Sequence, residues 1–304
     1  MKVKVSDIGE KALISYILDK NPSITPDDAG IINLPHTNLT ATTDMLIDST
    51  HFPPNMSHYQ MGFKAVTVNV SDLAAMAAEP VGFLLSLAIP HDLYFDSFKE
   101  IIRGVGDACR HYSIPLIGGD LNEASEIIIT GTALGVCKKA LMKDTYREGD
   151  LICLTGKIGL AALGFNLEGD NIYTQKALKP YARLKEGLSL KNIATSATDI
   201  TDGLASELYT IKKEGYGFMI YEDKLAISDE FLEISQKLAL NYLDLVLHVG
   251  EDFELLFTID KNDLDKIDFE YIIIGEVNST GKVELTLENS EVVEIENKGY
   301  EHLC

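Results

Sequence analysis

The chain has 304 residues, with 26 Lys and Arg against 47 Asp and Glu, so its formal net charge is −21. Hydrophobic residues make up 46% of the sequence and charged residues 24%, which is typical of a globular protein and excludes disordered and collagen-like classes. An acidic chain repels a phosphate backbone and no basic run is present to overcome that repulsion, so nucleic acid is not an expected partner.

The length of the chain indicates the number of domains, and its apolar segments indicate the cellular location of the protein. A single core rarely grows beyond about 250–300 residues, so two domains are expected. The segment MKVKVSDIGEK has no apolar signal region, and the longest apolar stretch, 81–89, is far shorter than the ~20 residues that span a bilayer. We therefore expect a cytoplasmic protein without membrane association.

The four cysteines form no CxxC pair and are interpreted as buried free thiols. They are Cys109, Cys137, Cys153 and Cys304.

Hydrophobic periodicity in the first half predicts an alternation of helices and strands. A leading helix at 7–20 ends in an Asn-Pro-Ser-Ile-Thr-Pro loop. It is followed by a strand at 37–47, a helix at 61–78, a strand at 81–89, a helix at 95–111, a short buried strand at 114–117 and a strand at 126–136.

The second half opens near residue 138, which divides the chain into predicted domains 1–137 and 138–304. Its predicted elements are a strand at 151–154, helices at about 157–168 and 174–192, a strand before Asp199, a helix at 204–213, a strand at 217–221, a helix at 229–240 and strands at 253–259, 271–277 and 283–287.

Aspartates occur at strand ends and inside apolar segments. They are Asp28 in a Pro-flanked loop, Asp44 after Thr42 and Thr43 in a strand, Asp72 in an apolar helical run, Asp120 after Gly118 and Gly119 at a strand end, and Asp199 and Asp202 between a strand and a helix. Each has a structural alternative, such as a helix N-cap, a turn or a solvated face.

Together these aspartates favour a metal site, because buried carboxylates repel one another unless a cation neutralises them. No Lys or Arg stands within these motifs, and oxygen ligands without a His or Cys cluster indicate Mg²⁺ or Mn²⁺. Mg²⁺ commonly bridges carboxylates to substrate phosphates.

The common nucleotide-binding motifs are missing from the sequence: it has no Walker, dinucleotide-binding or protein-kinase motif. The TGKIG segment at 155–159 is interpreted as a strand-to-helix turn.

Six segments resemble the thiamine-monophosphate kinase family in order and spacing over nearly the whole chain. They are TTD at 42–44 with His51 and Phe52, KAVTVNVSDLAAM at 64–76, LIGGD at 116–120, DITDGL at 199–204, GEDFEL at 250–255 and KGYEH at 298–302. The SDLAAM and SDGL-type segments are shared with the wider superfamily of aminoimidazole ribonucleotide synthetase, whereas the HF, GEDFEL and KGYEH elements single out the thiamine enzymes.

The resemblance implies an aminoimidazole ribonucleotide synthetase-like fold, with an N-terminal α+β domain whose sheet pairs across a homodimer and a C-terminal α/β domain. It implies ATP-dependent phosphorylation of thiamine monophosphate to the diphosphate by direct transfer, with several Mg²⁺ ions and ATP as co-substrate. The matching metal positions are Asp28, Thr42, Thr43, Asp44, Asp72, Asp120, Asp199 and Asp202. The ATP positions are Gly119, Asp120, Thr201 and Lys143, where the family commonly has arginine, and the substrate positions are His51, Glu251 and Tyr300.

Alternatives stay open at each level. On the implied substrate side, Glu251 would complement the cationic thiazolium and Tyr300 would stack on it, but His51 also fits a strand-end surface residue, Glu251 a turn and Tyr300 a C-terminal core residue. The alternative functions are another ATP-using member of the superfamily, such as a hydrogenase-maturation dehydratase with its C-terminal cysteine, and a non-catalytic nucleotide- or metal-binding homologue.

Overall fold

A computed structural model describes residues 8–21 and 24–299, which fold into two β-sheets with helices packed on them. The first sheet comes from the first half of the chain. Its strands are β1 (Gly30–Asn33), β2 (Asn38–Ile47), β3 (Glu79–Ile89), β4 (Leu116–Glu123) and β5 (Ile128–Cys137). Their order is β1-β2-β5-β3-β4, with β3 and β4 parallel. Strand β4 is therefore an outer strand, three positions from β2.

Helix α3 (His58–Ala75) is the central helix of this half. It begins at a capping box in which Ser57 and Gln60 exchange side-chain and backbone hydrogen bonds. Its residues are buried on nearly all sides, which indicates packing all round rather than one amphipathic face. It contacts β2, β5 and helix α4 (Phe95–His111). The other helices of this half are α1 (Glu10–Lys20) and α2 (Asp48–His51).

The second sheet has seven strands in the order β12-β11-β8-β10-β6-β9-β7, and only β8 and β11 among its neighbouring pairs run parallel. The strands are β6 (Leu151–Leu154), β7 (Ser196–Asp199), β8 (Gly217–Tyr221), β9 (Leu255–Ile259), β10 (Ile272–Asn278), β11 (Val283–Thr286) and β12 (Val292–Glu294). The helices are α5 (Leu160–Gly164), α6 (Ile172–Leu178), α7 (Leu184–Ser189), α8 (Leu204–Ile211), α9 (Asp229–Lys237) and α10 (Tyr242–His248).

Helix α3 also contacts the second half. A Cβ on Gly187 of α7 would lie 2.2 Å from the carbonyl oxygen of Ala74, so this approach requires glycine. The hydroxyl of Tyr112 accepts a hydrogen bond from the backbone N–H of Ala182 at 2.8 Å. Apolar side chains from both halves form one cluster around this contact. The domain division at residue 138 falls between β5 and β6 and stays a prediction.

The face of the first sheet opposite α3 is only partly covered. Met45 is 56% exposed and Leu84 is 36% exposed, although both are apolar. Side chains of Leu134 and Val136 on the same face are half-buried. A sheet face with apolar side chains at this level of exposure is typical of an interaction surface.

Most predicted elements are present, with shifts at their ends. Helix 95–111 and strands 151–154 and 217–221 have the predicted bounds. The prediction of a buried strand at 114–117 is wrong, because β4 spans Leu116–Glu123 and all its residues are exposed. An outer strand has a neighbour on one side only. Asp120 therefore lies inside an exposed strand and does not end a buried one.

Three further differences have local causes. The helix predicted at 174–192 is divided into α6 and α7, because Pro180 cannot continue a helix. Strand β1 is too short to give a periodic signal. Helix α10 begins at Tyr242, after the N-cap residue Asn241, whose side chain accepts a hydrogen bond from the N–H of Leu243; this capping signal was missed.

Cys109, Cys137 and Cys153 are buried free thiols, which confirms the prediction for these three, whereas Cys304 lies outside the described residues. Within residues 8–21 and 24–299, none of the helices combines the length and apolar character needed to cross a membrane.

Candidate active site

A cleft of about 900 Å³ opens between the two halves of the molecule. The first half lines it with residues of β2, the segment 50–53 and α3. The second half lines it with the turn 199–202, the segment 248–251 and the side chain of Phe165. A cavity of this volume accommodates a small-molecule ligand.

One side of the cleft is acidic. We call Asp28, Asp44, Asp72, Asp199 and Glu207 the acidic wall. Burial raises the pKa of Asp28 and of Glu207 to about 8, that of Asp199 to about 7 and that of Asp44 to about 6. Burial also raises the pKa of Asp72 well above its usual value, and repulsion from neighbouring carboxylates adds to this effect. The wall therefore favours protonated carboxyl groups unless a cation compensates their charge.

Strand register explains why parts of the wall meet. Asp44 pairs in register with Gly131, whose Cβ position faces α3 because it would lie 2.4 Å from the amide nitrogen of Asn69. Side chains alternate along a strand, so Asp44 and Thr42 both point towards α3. The hydroxyl of Thr42 donates a short hydrogen bond to the carboxylate of Asp72 on that helix.

A lysine lies beside the acidic wall. The Nζ of Lys143 lies 3.7 Å from Asp28 Oδ1, and the hydroxyl of Thr198 donates to the same carboxylate at 3.1 Å. This contact corrects the view that the aspartates lack basic partners, because Lys143 lies far from Asp28 in the sequence.

The acidic wall has features that suit a hard cation. Asp28 Oδ2 and Asp199 Oδ2 are buried, and neither has a hydrogen-bond partner among residues 8–21 and 24–299. Carboxylate oxygens are preferred ligands of Mg²⁺. In the part of the chain that the structure describes, no three His, Cys, Asp or Glu side chains converge into a complete ligand set. Each ion would therefore take one or two carboxylates and complete its shell with water or ligand oxygens, as Mg²⁺ commonly does.

Two loops of the second half pair beside the acidic wall. The N–H groups of Glu251 and Phe253 donate to the carbonyls of Thr201 at 2.8 Å and Ile200 at 3.0 Å. A Cβ on Gly250 would lie 1.6 Å from the oxygen of Thr201, so only glycine fits. Glu251 and Phe253 have φ values of 68° and 49°, which are uncommon for these residue types. The loop pairing holds Glu251 in this conformation.

The predicted substrate residues His51 and Glu251 both line the cleft. His51 ends α2, and its Nδ1 accepts a hydrogen bond from the N–H of Ile47 at 3.0 Å. Between the two residues lies Lys64, whose Nζ is 2.9 Å from the carbonyl oxygen of His51 and 2.5 Å from Glu251 Oε2. Tyr300, the third predicted substrate residue, lies outside the described residues.

Five predicted residues do not line the cleft: Thr42 and Lys143 contact Asp72 and Asp28 of the acidic wall, whereas Thr43, Gly119 and Asp120 lie away from it. The hydroxyl of Thr43 bonds instead to the carbonyl of Gly131 and the hydroxyl of Thr132, on the opposite face of the sheet. Gly119 is level with Asp44 but three strands away, which is ~14 Å at the usual strand spacing. Asp120, the next residue, is exposed on this outer strand. These three assignments stay predictions.

Sequence reasoning missed Lys64 and Glu207, which both line the cleft. Glu207 is 7% exposed, and its Oε1 accepts hydrogen bonds at 3.3 Å from the hydroxyl of Thr201 and the N–H of Asp202. A detectable signal existed in each case, because a charged residue inside an apolar helical run needs a buried partner.

A second set of buried acids lies away from the acidic wall. Glu254 is 1% exposed and contacts Lys176 Nζ at 2.6 Å and Arg183 Nε at 2.6 Å. Burial alone would raise the pKa of Glu254, but these two cations outweigh it and hold the pKa below its usual value. Asp252 accepts hydrogen bonds from the N–H groups of Gly159 at 2.7 Å and Ala161 at 3.3 Å. Both acids thus have partners within the protein, although burial still raises the pKa of Asp252 to about 7.

Comparison with known proteins identifies the family. Residues 26–137 match the family model "AIR synthase related protein, N-terminal domain". The thiamine-monophosphate kinase of Pyrococcus abyssi is 39% identical over 91% of this chain and 90% of its own length, and that of Methanocaldococcus jannaschii is 34% identical over 77% of this chain and 79% of its own length.

Solved structures agree with the sequence comparison. The structure of AaThiL complexed with AMPPCP and TMP matches with a TM-score of 0.91 and 27% identity over 99% of both chains. A HypE–HypF complex contains a chain with the same fold, at a TM-score of 0.77 and 19% identity over 94% of this chain and 99% of that chain. The expected aminoimidazole ribonucleotide synthetase-like fold is thereby confirmed, and the chain belongs to the thiamine-monophosphate kinase family.

Proposed function

We propose that the protein transfers the γ-phosphoryl group of ATP to thiamine monophosphate and forms thiamine diphosphate. Relatives that carry the name thiamine-monophosphate kinase cover nine tenths of the chain, and the closely matching AaThiL structure contains AMPPCP, an ATP analogue, together with TMP. The structural observation that carries the proposal is the acidic wall, where one buried carboxylate oxygen of Asp28 and one of Asp199 have no hydrogen-bond partner among the described residues. An acidic protein can bind two phosphate-bearing substrates only if cations compensate the charge.

Several Mg²⁺ ions are the proposed compensating cations. Asp28, Asp44, Asp72, Asp199 and Asp202 would hold them, with Thr42 fixing the orientation of Asp72. When bound, Mg²⁺ neutralises and aligns the phosphates for in-line transfer. Lys143 beside Asp28 would supply a further positive charge towards ATP, and Thr201 a hydroxyl at the adjoining turn.

The substrate side would be formed by His51 and Glu251, with Tyr300 as a further predicted contact. The attacking phosphate oxygen of thiamine monophosphate is already ionised at neutral pH, so the chain needs no strong general base. Free thiamine instead offers a hydroxyl whose proton must be removed. Direct transfer without a phosphorylated enzyme follows from this arrangement as part of the proposal.

We also propose a homodimer that is formed through the partly exposed face of the first sheet. Dimerisation would bury Met45 and Leu84. Because Asp120 is separated from Asp44 by three strand positions, it can join a metal site only across such an interface. Light scattering should give twice the mass of one chain, and a monomer at micromolar concentration would contradict the dimer. The cytoplasmic location stays a prediction.

The reaction is tested by incubating the protein with ATP, Mg²⁺ and thiamine monophosphate and measuring thiamine diphosphate by chromatography. We expect the diphosphate to form, and free thiamine in the same assay to give no phosphorylated product. Binding of ATP without turnover would favour a non-catalytic homologue. Phosphorylation of free thiamine at a comparable rate would contradict the proposed acceptor.

A further inference from the structure

Lys64 is a buried cation in the wall of the cleft. It lies on α3, and its side chain is 1% exposed. Burying an ammonium group is costly unless it is paired and hydrogen-bonded. Its partners are the carbonyl oxygen of His51 and the carboxylate of Glu251, at 2.9 Å and 2.5 Å. The ring of Phe52 lies 5.9 Å from the same nitrogen, which adds a cation–π contact.

The two partners of Lys64 come from different halves of the molecule. His51 follows β2 in the first half, and Glu251 belongs to the loop before β9 in the second half. Lys64 therefore joins the two sides of the cleft through one charged group. Asp72 is eight residues further along α3, which corresponds to ~12 Å of helix length. The same helix thus presents a cation near one end of the cleft and part of the acidic wall near the other.

This ion pair changes the role that the sequence suggested for Glu251. A carboxylate that already faces an ammonium group at 2.5 Å is not an uncompensated charge for a cationic ring. Lys64 Nζ lies 2.5 Å from Oε2 as an ion pair without hydrogen-bond geometry, so it constrains where the carboxylate can lie in the cleft. Glu251 also has a left-handed φ of 68°, so its side chain leaves the loop in a direction that is uncommon for glutamate.

We infer that Lys64 is a positioning residue for the substrate side of the cleft. It holds His51 and Glu251 at the separation that thiamine monophosphate requires. This inference rests on the proposed function and deepens it. Recognition of the thiazolium then depends on the geometry of the Lys64–Glu251 pair and not on the net charge of Glu251.

The test uses Lys64→Met, which keeps length and apolar volume but removes the ammonium group. We expect KM for thiamine monophosphate to rise at least about tenfold, while KM for ATP and kcat stay within about threefold. If Lys64 only neutralised Glu251, its removal would free a carboxylate and lower KM for the cationic substrate. An unchanged or lower KM would therefore overturn the inference.

Lys179→Met is the matched control. Its Nζ lies 4.4 Å from the ring centre of Phe63, the residue before Lys64 on α3, and it is not among the residues that line the cleft. This variant also removes a cation that packs against α3, so it reports any general loosening of the helix. We expect its KM for thiamine monophosphate to equal that of the unaltered protein.

Glu251→Asp keeps the inference falsifiable if Lys64→Met does not fold. The side chain of Glu251 is 29% exposed, and aspartate tolerates a left-handed backbone. The variant keeps the charge but withdraws the carboxylate by one methylene from Lys64. Positioning predicts that Glu251→Asp raises KM for thiamine monophosphate nearly as much as Glu251→Gln. A pure charge effect predicts that Glu251→Asp stays close to the unaltered protein.

Hydrogen exchange separates this inference from the proposed function. We expect faster amide exchange at residues 250–253 in Lys64→Met than in Lys179→Met, because the loop loses its contact with α3. This readout needs no substrate. Absence of thiamine diphosphate formation by the unaltered protein would reject the proposed function alone, whereas unchanged exchange in Lys64→Met would reject the positioning role alone.

Discussion

Two sets of buried carboxylates in this molecule have opposite surroundings. Glu254 and Asp252 are compensated by Lys176, Arg183 and two backbone N–H groups. Burial raises the pKa values of the acidic wall, as it does that of Asp252, but the wall also includes two carboxylate oxygens with no hydrogen-bond partner in the described part of the chain. Burial alone thus does not distinguish a structural acid from a functional one. The difference lies in whether the protein itself supplies the partners of the carboxylates. Changes to the acidic wall should therefore alter turnover, whereas changes to Glu254 should alter thermal stability.

The largest expected effect is that of metal removal. Because Lys143 is one positive charge beside the five acids of the acidic wall, we expect turnover of thiamine monophosphate to stop in excess EDTA and to return when Mg²⁺ is added. The diphosphate is measured before and after the addition. As a control, EDTA added to protein that already lacks metal should leave its Tm unchanged, which shows that the chelator itself does not unfold the chain. Full turnover in EDTA would remove the metal from the mechanism.

Neutralising one member of the wall should reduce turnover strongly. We expect Asp44→Asn and Asp72→Asn each to lower kcat at least about 100-fold, which corresponds to roughly 2.7 kcal/mol of barrier. Asparagine keeps the shape of the side chain but removes a ligand charge. We expect Asp120→Asn to do the same only under conditions in which the dimer forms. Near-normal kcat in Asp44→Asn and Asp72→Asn would reassign these residues to structural roles.

Replacing the carboxylate of Glu254 by an amide should lower the stability of the protein instead of its turnover. Glu254→Gln leaves Lys176 and Arg183 without their counter-charge, and since Arg183 is about a third exposed, we expect a loss of about 2–3 kcal/mol or roughly 3–5 °C in Tm. Calorimetry or circular dichroism measures the shift. Thr155 donates to the same carboxylate, and Thr155→Val, which removes only a neutral donor, should cost less. A Tm equal to that of the unaltered protein would abolish the distinction between the two sets.

The smallest expected effect is the pH dependence of the metal-free protein. Asp28 and Asp199 have folded pKa values of about 8 and about 7, above the unfolded value near 3.9. The folded state therefore binds more protons, so the stability from these groups is complete below about pH 4 and is lost as the pH rises towards 8. We expect the Tm of the metal-free protein to fall between pH 5 and pH 8.

Asp28→Asn is the matched variant for this pH prediction. It removes one titrating group and should flatten the decline, and its metal-free Tm at pH 8 should exceed that of the unaltered protein. Mg²⁺ should raise Tm most at the alkaline end, where the carboxylates are ionised. An equal slope in the variant would show that other groups control the pH dependence.

The sequence predicts regular elements better than it predicts partners. Periodicity located α4, which buries one face, and continuous apolar runs located α3 and β6, which are buried nearly throughout. The strand β4 was assigned to the interior because apolar residues have the same sequence pattern on an outer strand as on a buried one. In the GEDFEL segment, the positive φ values of Glu251 and Phe253 interrupt the alternation of side chains. No pattern could therefore tell that Glu251 faces the cleft while Asp252 and Glu254 face inward. Lys64 was missed because its partners, His51 and Glu251, are distant along the chain.

The packing of α3 against Gly187 has a consequence for folding. Since the helix is buried by the first sheet on one side and by α7 and β7 on the other, its hydrophobic surface is completed only when both halves are present. A chain cut near residue 138 would expose that surface in the first fragment and deprive the second of the residues against which α7 packs. The two halves are therefore expected to unfold in a single cooperative transition, even though each has its own sheet.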